Sequence, residues 1–109
     1  MDHRLEAFSR LLKTMEELRE LCPWDRKQTF DSLRPNTIEE SFELADALLE
    51  KDMAGIKEEL GDLILHIVFY AKMGKEARAF DIADVCNEIV DKLVRRHPHI
   101  YGEADVQSE

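Results

Sequence analysis

Two short stretches place carboxylates at helical spacing. NTIEESFELAD, residues 36–46, holds Glu39, Glu40 and Glu43, and EELGD, residues 58–62, holds Glu59 and Asp62. Side chains three positions apart lie close together on one helical face. Glu40 and Glu43 therefore point the same way from one helix, and Glu59 and Asp62 point the same way from the next. Carboxylates gathered without cations repel one another, and some take up protons. Mg²⁺ or Mn²⁺ relieves that repulsion, because hard cations prefer oxygen ligands. Neither stretch contains Cys or His, which argues against zinc. A single ExxE is common on solvated helix faces, and Glu50 and Glu58 read as ordinary surface acids. The pair of ExxE and ExxD on consecutive helices, beside strongly apolar faces, reads as a metal site.

Positive charge is scarce in a chain of net charge -9, so its clustering counts. Lys92, Arg95, Arg96 and His97 crowd the end of one expected helix. Lys92 and Arg96 are four apart and share a face. Cations favour a helix C-terminus for dipole reasons alone, and the same group can clamp a phosphate opposite a metal cluster. A metal site with a nearby Lys/Arg pair suits polyphosphate chemistry, in which cations neutralise the phosphates and a polarised water attacks phosphorus. His66 lies one turn after Asp62. It reads as a partly buried structural histidine, the alternative being a ligand or a group behind the ligands. The Asp/Glu-x-x-His pattern of di-iron bundles is absent from both acidic stretches.

Helices must position these groups. Residues 3–21 repeat Leu5, Phe8, Leu12 and Met15 at helical spacing, widened by Leu11, Leu18 and Leu21. That helix should end at Cys22-Pro23, since proline disfavours helix in the residue before it. Residues 22–36 have no clear period and read as a long connection anchored by Trp24, Phe30 and Leu33. Such a loop is either functional or a cover for one end of a bundle. A second helix is expected over 37–51, capped at Asn36 or Thr37, with Thr37-x-x-Glu40 as a capping box. A third runs over about 53–75, with Gly74 suited to its end. A fourth runs over about 82–95, capped by Asp81, with Ile82, Val85, Cys86, Ile89, Val90 and Leu93 inward and Pro98 as its stop. A short connection near residues 51–54 makes the second and third helices antiparallel neighbours, so that four carboxylates converge from facing helices.

The fold class expected is all-α, a four-helix bundle-like single domain over residues 1–109 with a polar tail at 103–109. The third helix is apolar over much of its circumference, which implies an oligomer interface. The longest apolar runs are a few residues and no segment spans a bilayer. The N-terminus has no signal-peptide pattern, and Cys22 and Cys86 are too few for a disulfide framework. The expectation is a cytoplasmic protein with reduced thiols. Its acidic balance disfavours direct nucleic-acid binding.

EESFE at 39–43 followed by ELGD at 59–62 resembles the EExxE…ExxD signature of the all-α nucleoside triphosphate pyrophosphohydrolases. CPWD at 22–25, Gln28-Thr29, VFYAKM at 68–73 and DKLVRRHPHIYG at 91–102 resemble MazG specifically. The resemblance covers roughly residues 5–103. It implies Mg²⁺-dependent hydrolysis of (d)NTPs between the α- and β-phosphates, giving a nucleoside monophosphate and pyrophosphate. It implies Glu40, Glu43, Glu59 and Asp62 as metal ligands, and Glu39 or a ligand glutamate such as Glu40 as the group that positions or deprotonates water. It implies Lys92 and Arg96 as phosphate-binding positions, with Arg95 beside them, and a homodimer or homotetramer. Glu39 also fits a group behind the ligands, or a charge suited to the helix N-terminal dipole. Trp24, Asp25, Gln28 and Phe30 are candidate base contacts, although a structural loop explains them equally well. CPWD and RRHPH resemble the first half of longer two-domain MazG proteins, so the chain is expected to be a single-domain relative or a fragment. A catalytically weak oligomerisation or regulatory module that keeps the fold is the competing reading.

Overall fold

The computed structural model describes residues 2–102, and the polar tail expected at 103–109 lies outside the described residues. The elements are α1 (His3–Leu21), α2 (Pro23–Lys27), α3 (Phe30–Glu50), α4 (Met53–Glu76), α5 (Ile82–Arg96) and α6 (Pro98–Tyr101). The fold is all-α, with no strand among the described residues. Asp2 caps α1 by accepting the Arg4 backbone N–H at 2.8 Å. The helix ends where Cys22 turns extended ahead of Pro23, which then opens α2 at a position where its missing N–H costs nothing.

Helix α4 is the organising element. It pairs most extensively with α3 and also touches α1 and α5. Met15 from α1, Leu33 from α3, and Val68, Phe69 and Met73 from α4 form the buried core, flanked by Phe8, Leu11, Leu12, Leu65 and Tyr70. Each fully buried side chain of this kind contributes about 1.5–3 kcal/mol relative to exposure. The core gathers on the C-terminal half of α4. The other half, where Glu59 and Asp62 lie, faces α3, and Leu60, Ile64 and Ile67 stay exposed along the middle of the helix.

The connection expected over 22–36 is mostly helical. Helix α3 starts at Phe30, seven residues before its expected start, and carries Pro35 inside it. Proline there forfeits one backbone hydrogen bond, the one the Asp31 carbonyl would accept, and both Pro35 and Asp31 are exposed residues. The reciprocal cap forms between Thr29 and Ser32 (2.8 and 3.1 Å), not between Thr37 and Glu40, and Thr37 is interior to the helix. Helix α2 is held from a distance. Arg19 donates to the carbonyls of Asp25 (2.7 Å) and Gln28 (2.9 Å) and pairs with Glu76 of α4 at 2.8 Å.

Lys51, in the left-handed region at φ 56°, and Asp52 form the turn between α3 and α4, and Asp52 caps α4 through the Gly55 N–H. Gly74 lies inside α4 rather than at its end. Its carbonyl accepts from the Ala79 and Phe80 N–H groups, and the Phe80 ring fills the space a Cβ would need. Asp81 caps α5 as expected, in a reciprocal pair with Asp84. The inward face expected of α5 is not buried. Val85, Ile89, Val90 and Leu93 stay exposed, because α5 meets α4 along only part of its length.

Candidate metal centre

The acidic residues come together across the α3–α4 hairpin. Carboxylate oxygens of Glu40, Glu43 and Glu59 lie within 4.8 Å of one another. The cause is local. Positions 40 and 43 share the α3 face turned to α4, and the tight turn at Lys51–Asp52 folds α4 back antiparallel. Asp62, one turn beyond Glu59, lies outside this tightest trio but close enough for its charge to raise the pKa of Glu40 and of Glu43.

Glu40 is the buried member, only 8% exposed. Its carboxyl is pushed up to about 8, first because it can share a proton with Glu59, then by burial, then by the charges of Glu59, Asp62 and Glu43. Glu43 is also raised, by desolvation first and then by Glu59, Glu39 and Asp62. Every charge that acts on Glu40 is acidic, so no Lys or Arg relieves the cluster. Two buried oxygens, Glu40 Oε2 and Glu59 Oε1, have no hydrogen-bond partner. Two carboxylates cannot satisfy one another unless a proton or a cation comes between them. An all-oxygen donor set with orphaned buried oxygens fits a hard divalent cation such as Mg²⁺ or Mn²⁺.

Glu39 is exposed on α3 beside this trio, and its charge acts on Glu43. Lys92, Arg95 and Arg96 lie exposed on α5. Within the protomer and among the described residues, no ion pair or hydrogen bond joins them to the carboxylates. Trp24 is 57% exposed on α2. The Gln28 side-chain amide is already used: it donates to the Trp24 carbonyl at 3.0 Å and accepts from the Ser32 hydroxyl at 2.8 Å. Asp25 contributes its backbone carbonyl to Arg19. The structure therefore uses Gln28 and Asp25 to seal the α2–α3 junction and leaves the Trp24 and Phe30 rings accessible.

One turn from the acidic positions the hairpin carries a polar group. Thr37 Oγ1 lies 2.8 Å from His66 Nδ1 and also hydrogen-bonds the Tyr70 hydroxyl, and Phe30 stacks on Tyr70 with ring centroids 6.0 Å apart. His66 is the member that its spacing from Asp62 offers in the sequence; Thr37 reads there as a helix cap and Tyr70 only as part of VFYAKM. Burial lowers the pKa of His66, and the Asp62 charge opposes that shift.

The chain has relatives in both sequence and fold. The sequence model of the MazG nucleotide pyrophosphohydrolase domain matches residues 28–101. A protein from Escherichia coli strain K12 named nucleoside triphosphate pyrophosphohydrolase is 42% identical over 107 residues, which cover 95% of this chain and 41% of that protein. Thermotoga maritima has a protein named nucleoside triphosphate pyrophosphohydrolase/pyrophosphatase MazG. It is 50% identical over 99 residues, covering 89% of this chain and 39% of its own. The chain thus spans about two-fifths of the length of these curated relatives. The crystal structure of a mazG-related protein from Thermotoga maritima superposes with a TM-score of 0.76 at 28% identity, covering 90% of this chain and 86% of that one. With its helical hairpin, its acidic trio and a family match across residues 28–101, this chain belongs to the MazG nucleotide pyrophosphohydrolase domain family.

Proposed function

We propose that this domain hydrolyses nucleoside triphosphates, NTP or dNTP, to a nucleoside monophosphate and pyrophosphate with Mg²⁺, Mn²⁺ being a possible substitute. The observation that carries the reading is the convergence of Glu40, Glu43 and Glu59 with two buried oxygens left unpartnered. Glu40, Glu43, Glu59 and Asp62 hold the cation. When bound, it neutralises phosphate charge and makes water a better nucleophile. The protein's own share is positional. The hairpin fixes the carboxylates before substrate arrives, so no reorganisation is spent at the moment of reaction. Glu39 or Glu40 accepts the proton of the attacking water. Lys92 and Arg96, with Arg95, supply positive charge to the phosphates.

Those cations lie apart from the carboxylates within one protomer. We assign the working unit to a homodimer or homotetramer, supported by the open apolar faces of α5 and of Leu60, Ile64 and Ile67. A radius of gyration of 17.1 Å, against about 13 Å for a compact chain of this length, fits a protomer that completes its packing with a second copy. We place the protein in the cytoplasm, in keeping with two free cysteines. No described helix is long and apolar enough to cross a membrane.

The decisive experiment incubates the protein with Mg²⁺ and a panel of (d)NTPs and separates the products. Nucleoside monophosphate and pyrophosphate are expected. Orthophosphate with diphosphate, or no turnover of any nucleotide, refutes the reading. Glu43→Gln should abolish turnover while the helical circular dichroism spectrum stays unchanged. The second reading, an oligomerisation or regulatory module with little activity, is favoured by the separation of Lys92 and Arg96 from the acidic trio. Calorimetry showing tight nucleotide binding without product identifies that case.

A further inference from the structure

Thr37 Oγ1 is a hydrogen-bond hub with a single proton. Around it lie His66 Nδ1 at 2.8 Å, the Tyr70 hydroxyl, and the Leu33 carbonyl at 3.3 Å. The direction of each bond follows from acidity. The Tyr70 phenol is the most acidic hydroxyl present and donates to Thr37. The Thr37 proton then goes to the strongest base within reach, the imidazole nitrogen, in preference to a more distant amide carbonyl that already serves the α3 ladder. Burial of the ring lowers its proton affinity, so the imidazole is neutral near pH 7. A neutral ring that accepts at Nδ1 must carry its proton at Nε2. Nε2 makes no hydrogen bond among the described residues.

We propose that Tyr70 and Thr37 hold His66 as its neutral Nε2–H tautomer, making it a fixed hydrogen-bond donor beside the acidic cluster that positions an anionic phosphate oxygen. Thr37 precedes Glu40 by one turn of α3 and His66 follows Asp62 by one turn of α4, so the Thr37–His66 contact is the next rung of the hairpin beside the acidic groups. The acidic trio itself offers a phosphate oxygen no N–H donor, since its side chains are carboxylates. The Tyr70 ring is braced by Phe30 at an interplanar angle of 11°, which fixes the far end of the relay. His66 is thus a positioning residue supported from both helices of the hairpin.

The phosphate role rests on the proposed pyrophosphohydrolase reading, whereas the tautomer does not, so the test separates the two. Long-range proton–nitrogen spectra of the uniformly ¹⁵N-labelled full chain, in EDTA at pH 7.5, report the tautomer without nucleotide. His66→Gln assigns the His66 signals. A protonated-type shift at Nε2 and an imine-type shift at Nδ1 are expected. The reverse pattern overturns the proposal. Thr37→Val should mix the tautomers and Thr37→Ser should restore the Nε2–H form; an unchanged pattern in Thr37→Val overturns the relay. Mg²⁺ with inorganic pyrophosphate should move the Nε2 signal, and no movement overturns the donor role even if nucleotides prove not to be substrates. Among turnover variants, His66→Gln, which keeps an N–H at similar reach, should exceed His66→Phe in kcat/KM by about tenfold or more. Equal losses in both overturn the role.

Discussion

Without a cation, Glu40 should make the protein less stable as pH rises. Its folded-state pKa is raised to about 8 from an ordinary 4.5. Between those values the folded chain binds a proton that the unfolded chain has released, so raising pH favours unfolding. The stabilisation is present at the acidic end of the window and is gone once pH passes about 8. At about 1.36 kcal/mol per pH unit, the shift sets an upper bound of about 5 kcal/mol. Glu43 is exposed, so water reaches one side of the cluster and screens it, and we expect about 2–3 kcal/mol. For a domain of this size that is about 1–2 M in urea midpoint. The assay is urea denaturation followed by circular dichroism in EDTA, at fixed protein concentration, from pH 5.5 to 8.5. His66 acts with the opposite sign near its own titration, since its lowered pKa makes stability rise with pH there. The informative quantity is therefore the difference between wild type and Glu40→Gln. The amide donates to Glu59 as a protonated Glu40 would, so the variant should lack the alkaline loss. At pH 8.5 it should be more stable than wild type in EDTA. Excess Mg²⁺ should remove the wild-type loss and leave the variant nearly unaffected. Parallel pH profiles for the two proteins in EDTA would refute the reasoning.

Two further predictions concern the scaffold. Arg19→Ala removes the Glu76 pair and the bonds to the α2 carbonyls, from a side chain only 15% exposed. It should cost about 2–4 kcal/mol in urea denaturation, and Arg19→Lys should not recover it, because one ammonium cannot reach all of these acceptors in the same geometry. Lys51→Gly should raise the thermal midpoint, contributing about 0.5–1 kcal/mol, since Lys51 sits at φ 56° where a Cβ is unfavourable; an unchanged or lower midpoint would contradict that strain.

The helical hairpin was legible because its signals are local. Three-residue spacing put Glu40 with Glu43 on one face, the short turn at Lys51–Asp52 implied antiparallel neighbours, and Asp81 read as a cap. Residues 22–36 misled for a physical reason. Two prolines and an aperiodic apolar pattern argue for loop, while α2 is held by the Arg19 side chain, itself fixed by Glu76, which is remote in sequence. The Thr29–Ser32 cap lacks the Glu or Gln that marks a capping box, so Thr37-x-x-Glu40 drew the assignment. That error hid the real part of Thr37, whose hydroxyl turns to His66 and Tyr70. Helix α5 shows the limit of pattern reading: amphipathic spacing identifies an apolar face without saying whether this protomer covers it.

The acidic trio lies entirely within one α-hairpin, closed by the two-residue turn at Lys51–Asp52. Closing so short a loop costs little chain entropy, and contacts this local form early in folding. Contacts this local are expected to bring the carboxylates together ahead of the distant core around Met15. On that order their mutual repulsion would bear on the folding chain as well as on the finished domain, and a proton or a cation between them would relieve it. The charge of the cluster would then enter the kinetics of folding as well as the stability of the folded domain.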